Sequence, residues 1–66
     1  MQKNSTNDLL AEGLMTVEEA GKFLSLSRST IWKLMTDGEL VWTRIGSSRR
    51  IPRVAVYRLA AKRLTI

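Results

Sequence analysis

Three residues, Ser25-Leu26-Ser27, are all that separates two stretches that each carry a helix-start signal. Upstream, Thr16 to Glu19 reads TVEE, a capping box. In it the Thr16 hydroxyl accepts from the Glu19 N–H, the Glu19 carboxylate accepts from the Thr16 N–H, and Met15 can pack on Ala20 as a staple. Downstream, Ser27 can cap a helix that starts at Arg28, because its hydroxyl accepts from an orphan N–H of the first turn. Asp37-Gly38 ends that second stretch, glycine taking the left-handed C-terminal conformation without steric cost. A connector of three residues forces two helices to cross steeply, which is the helix-turn-helix arrangement. Leu26, apolar in a polar turn, is expected to pin that turn to the core.

The first helix is expected over 17 to 24, with Val17, Ala20, Phe23 and Leu24 as its apolar stripe. Gly21 costs roughly 1 kcal/mol relative to alanine in a helix interior. Two readings fit it: a close approach to the second helix, or a tolerated glycine on the solvent side. The second helix is expected over 28 to 36, burying Ile31, Leu34 and Met35. That leaves Arg28, Ser29, Lys33 and part of Trp32 turned outward. A short helix with small hydroxyls and cations at its N-terminal end has the shape that fits a DNA major groove.

After Gly38 the period changes from helical to alternating. Residues 40 to 45 predict a strand, Gly46-Ser47-Ser48 a turn, and 49 to 53 a returning strand that carries Ile51 inward. Arg44, Arg49 and Arg50 cluster beside that glycine and two serines. This suits a wing that touches DNA backbone, with a solvated hairpin kept from aggregating by its charge as the alternative. Pro52 is expected to lie outside any central strand, since it has no N–H to donate. A third helix is expected over 54 to 65, with Val56, Tyr57, Leu59, Ala60 and Leu64 inward; Lys62 and Arg63 complement its dipole. The expected fold is mainly α with a two-stranded β-hairpin wing, a winged helix-turn-helix. Residues 1–13 are expected to form a flexible N-terminal arm and 14–66 the domain.

The charge is distributed as that fold would require for a polyanion partner. The net charge is +5, but residues 1–27 carry −2 and residues 28–66 carry +7. Neutralised phosphates release counterions, so such a concentration favours nucleic acid; an anionic membrane would feel the same pull. The chain has no cysteine and no histidine, which excludes disulfides and the usual zinc sites. Glu18 and Glu19 are explained by the helix dipole and the capping box, so no acid–base pair is left for catalysis. We expect no enzyme activity, no metal and no cofactor. MQKNSTNDLLAEG lacks the basic and apolar regions of a signal peptide, and no stretch has the apolar length of a membrane helix. The expected setting is the cytoplasm, on the nucleoid when bound to DNA. Sixty-six residues make one domain with a thin core, burying only about 60% of the unfolded surface.

The segment TVEEAGKFLSLSRSTIWKLMTDGELVWTRIGSSRRIPRVAVYRL resembles the excisionase-like, MerR-related small winged-helix family. The matching pieces are TVEEA, LSRST, DGEL, RIG and RIP in that order, over about residues 14 to 60. The resemblance implies that the helix entered by SRST lies in the major groove and that the wing lies along the adjacent backbone or minor groove. Carried over by position, it implies DNA contacts from Arg28, Ser29, Thr30, Trp32 and Lys33 in the helix, and from Arg44, Ser47, Ser48, Arg49 and Arg50 in the wing. The sequence departs from the family at Ser47 and Ser48, where basic residues are common, and at Arg49, where an apolar or aromatic residue is. It departs also at Val41, where proline is frequent, and at Val54, where a capping residue is.

The function the resemblance implies is that of an excisionase, which binds and bends double-stranded attachment-site DNA to help a tyrosine-type integrase excise. A small transcriptional regulator and a protein-interaction module are the alternatives. A chain that stops just after the domain favours the excisionase. The expected state is a monomer in solution, with the integrase and neighbouring copies on DNA as partners and no membrane. Arg28 suits a bidentate contact to guanine, and equally a phosphate. Ser29 and Thr30 suit a phosphate clamp, or for Thr30 a local cap; Lys33 suits a phosphate. Trp32 and Trp42 suit packing against the wing, or contact with a partner. The interaction-module reading would place weight on Trp42 with Tyr57, or on Leu64 and Ile66.

Overall fold

A computed structural model describes residues 10–63; Leu64, Thr65, Ile66 and residues 1–9 lie outside the described residues. In chain order the elements are β1 (Leu14–Met15), α1 (Val17–Leu24), α2 (Arg28–Thr36), β2 (Thr43–Ile45), β3 (Ser48–Pro52) and α3 (Arg53–Lys62). This is a winged helix-turn-helix, mainly α with a small antiparallel sheet.

Both helix starts are built as the sequence requires. Thr16 N–H donates to the Glu19 carboxylate at 2.9 Å and Glu19 N–H to the Thr16 hydroxyl at 3.0 Å, closing the capping box. Met15 belongs to β1 and is buried beside this start. α1 ends with Ser25 in the left-handed region, φ 58°, and the Leu26 N–H reaching back to the Gly21 carbonyl at 2.9 Å. That is the Schellman pattern, here carried by a serine. Gly21 is buried, and a Cβ built on it would sit 2.9 Å from the Leu26 carbonyl oxygen. The glycine therefore marks a close approach, of the turn's own backbone with Ile31 of α2 behind it. Gly38, at φ 80°, lets the chain leave α2 while the Glu39 and Leu40 N–H groups bond the Leu34 carbonyl.

The sheet has three strands in the order β1-β3-β2, so the hairpin wing gains a partner that the sequence reading lacked. β1 pairs Leu14 with Pro52 and Met15 with Ile51, while β2 pairs Thr43, Arg44 and Ile45 with Arg50, Arg49 and Ser48. Ser48 is thus a strand residue and the turn is only Gly46-Ser47, with Gly46 at φ 63° supplying the positive φ that a two-residue hairpin needs first. Pro52 does stand in the central strand, against expectation. It is tolerated there because it closes the strand and immediately precedes α3, and the next N–H, that of Arg53, bonds the Gly13 carbonyl at 2.9 Å instead. β2 begins at Thr43 rather than at 40, because Leu40 is drawn into the core. α3 begins at Arg53 and ends at Lys62, where Arg63 caps it and pairs with Glu39.

The core lies where α1, α2, α3 and β3 meet, and Ile31, Leu40, Ile51 and Val56 are its fully buried large side chains. Burying each such side chain stabilises by about 1.5–3 kcal/mol. Three residues expected inside are outside. Phe23 is 52% exposed and Tyr57 41%, their rings tilted at 44° to one another with centroids 5.3 Å apart on the surface. Leu26 is 40% exposed, and its backbone N–H ties the turn to the Gly21 carbonyl. Gly21→Ala is expected to lower stability by about 1–3 kcal/mol, since the added carbon meets backbone that cannot yield without re-angling α2. Urea denaturation of the two proteins, with a lower midpoint at unchanged slope, checks it.

Candidate nucleic-acid interface

The N-terminal turn of α2 is held by its own hydroxyls. The Thr30 N–H donates to the Ser27 hydroxyl at 3.2 Å, and the Ser27 Oγ lies 2.8 Å from the Thr30 Oγ1 and 3.3 Å from the Ser29 Oγ. Successive side chains turn by about 100° around a helix. With Ile31 and Met35 buried, the outward arc is therefore Arg28, Trp32, Thr36, Ser29 and Lys33. Thr36 on this arc is a position that the sequence reading omitted. Thr30 turns the other way, half-buried beside Leu24, Leu26 and Leu34, with its hydroxyl on Ser27. Its geometry is that of a local cap.

The wing sits on the side of α2 that Arg28 and Trp32 face. Between them runs an open groove of about 420 Å³, lined by Thr16, Val17, Glu18, Arg28, Trp32, Arg44, Ser47, Ser48, Arg49 and Arg50. Seven of the ten residues named from the sequence line this one groove; Ser29, Thr30 and Lys33 do not. Ser29 and Lys33 are exposed on the neighbouring column of the same helix, and Lys33 lies 3.5 Å from the Asp37 carboxylate. Four arginines face a single carboxylate across the groove, so its field is strongly positive.

That carboxylate is Glu18, whose oxygen lies 3.8 Å from the Arg28 guanidinium with both side chains mostly exposed. Such a surface pair contributes about 0.2–1 kcal/mol at most. It leaves Arg28 available to a ligand. Arg44 and Ser47 are exposed at the wing, and Arg50 is half-buried with Nη1 donating to the Arg49 carbonyl at 3.0 Å. Arg49 is placed differently. Its guanidinium carbon is 4.2 Å from the ring centroid of Trp32 and 4.2 Å from that of Trp42, so one cation lies over both indoles. Each such contact is worth about 0.5–2 kcal/mol, according to its exposure. Both tryptophans also pack on the core, which is the packing role the sequence left open for them.

Glu18 and the double stack were missed by the sequence reading. Glu18 was absorbed by the helix dipole, and the stack joins residues seven to seventeen positions apart that no local pattern links. Among the described residues no cluster of His, Cys, Asp or Glu could hold a metal ion, and no helix is long and apolar enough to cross a membrane.

The helix-turn-helix domain family model matches residues 14–64, which takes in every element described above. The chain belongs to that family. The chain is 49% identical over 49 residues to a protein of Saccharopolyspora erythraea described as a probable excisionase. The match covers 74% of this chain and 50% of that protein, so the chain spans about half the length of the curated relative it matches. No solved structure matches. The family is one of non-catalytic DNA-binding modules, which is the use that a groove walled by a helix-turn-helix and an arginine-rich wing can serve. Ser27→Ala is expected to cost about 1 kcal/mol, the loss of an N-terminal cap, with the first turn of α2 loosened ahead of the rest. Urea denaturation with helix content read by circular dichroism measures it.

Proposed function

We propose that this chain is a sequence-specific, double-stranded DNA-binding architectural protein that acts as an excisionase. The observation that supports this best is the shared groove. α2 and the wing present Arg28, Arg44, Arg49 and Arg50 to one side, against one carboxylate, so a duplex seated on α2 meets the wing at the same time. In this reading the outward arc of α2 enters the major groove. Arg28 reads a guanine edge with its forked donors, Ser29 and Lys33 hold phosphates, and Trp32 closes the helix against the wing. Thr30 supports the turn from inside rather than reaching the duplex. In the wing, Arg44, Arg50, Ser47 and Ser48 line the adjacent backbone.

The mechanism is geometric. Phosphate contacts set the pose, a few base edges select it, and bending brings distant recombinase sites together at a deformation cost of order 1–6 kcal/mol. A tyrosine-type integrase and neighbouring copies of this chain on DNA are the proposed partners, in the cytoplasm, the free protein being a monomer. The same surface would serve a small transcriptional regulator; stimulation of integrase-dependent excision in a reconstituted reaction separates the two.

The experiment that tests DNA recognition is a mobility-shift titration against attachment-region and random duplexes at several salt concentrations. The parent is expected to prefer the attachment-region duplex and to lose affinity steeply with salt. Arg28→Ala should lower that preference by about 5- to 150-fold, the worth of one bidentate base contact. Arg44→Ala and Arg50→Ala should weaken binding to every duplex and each flatten the log–log salt slope by about 0.9, one phosphate contact apiece. Equal affinity for both duplexes in the parent would contradict sequence-specific recognition.

A further inference from the structure

The arginines of the wing differ in how they are held. β1 backs β3 only at Ile51 and Pro52, so the outer half of β3, Ser48 to Arg50, has β2 as its sole strand neighbour. A two-stranded ribbon of that length is marginal by itself. Arg44 and Arg49 also stand directly opposite one another in the register, and like charges so placed oppose the pairing. The outer wing therefore needs another attachment. The layer of Trp32, Arg49 and Trp42 supplies one, because its members come from α2, from β3 and from the segment that enters β2.

We infer that Arg49 is the positioning residue of the wing. It fixes the hairpin's angle to α2 through its contacts with both indoles and does not itself neutralise a phosphate. A guanidinium suits the site because it is flat and stacks on electron-rich indole faces. Lysine has the charge but no flat faces. This inference rests on the DNA-binding reading for its consequence, while the stack itself is a property of the free chain.

The test uses the whole chain with Arg49→Lys and Arg49→Ala. Without DNA, amide hydrogen exchange is read at residues 43–50, with Ile31 and Met35 as the reference for the fold. Exchange in the wing is expected to quicken at least tenfold in both variants while Ile31 and Met35 keep their protection. With duplex DNA, both variants are expected to lose at least tenfold in affinity and to keep the parent's salt slope. Arg49→Lys carries the test if Arg49→Ala loses protection throughout. Parental exchange in the wing of Arg49→Lys would overturn the inference. So would parental DNA affinity in Arg49→Lys, or a slope flattened by about 0.9 in Arg49→Ala, the mark of a phosphate contact. A parent that binds no duplex would overturn the DNA reading alone, since the exchange result still decides for or against the stack.

Discussion

The Leu26 carbonyl rests on Gly21, where a methyl carbon would come within 2.9 Å of it, and this close approach sets the angle at which α2 leaves α1. With three residues between the helices, little else can absorb an error in that angle. Ile31 and Met35 reach the core only at this crossing, and their burial decides which arc of α2 is left for solvent. The cations of α2 face solvent because Ile31 and Met35 on the other side of the helix are buried. Ser25 accepts a left-handed conformation, uncommon for a residue with a side chain, in the same cause.

The second constraint is size. A chain with so thin a core and no cysteine has few contacts to spend on holding a hairpin at a distance. The sheet answers this by sharing. β3 pairs with β1 at its inner half, which closes the core over Ile51, and with β2 at its outer half, which makes the wing. Trp32 and Trp42 extend the apolar interior outward to the base of the wing, where a cation completes the packing. The lining of the groove and its structural support therefore overlap at Arg49.

How much of this could be read from the sequence follows from the range of the interactions. The capping box at Thr16, the cap at Ser27 and the stop at Gly38 are hydrogen bonds or dihedral preferences within a few residues, so α1 and α2 are legible to the residue. β1 is two residues long and pairs with a strand nearly forty positions away, which leaves no periodicity to detect. Phe23 and Tyr57 fit an apolar stripe by spacing, but spacing does not tell how wide a stripe the neighbouring elements can cover, and here they cover less. Arg28 and the wing arginines, which the sequence named together through the resemblance, line one groove. Thr30 faces away because Ser27 and Leu34 claim it, and Arg49 stacks because two tryptophans meet only in the folded chain.

In the proposed function, one positive face, formed jointly by the outer arc of α2 and the wing, receives a DNA duplex. An NMR titration of the labelled chain with a short attachment-region duplex tests it most directly. Amide shifts are expected to concentrate at residues 28–33 and 43–50, with Phe23 and Tyr57 undisturbed. Shifts gathered instead around Leu26, Leu34 and Leu59, with the wing unmoved, would contradict it.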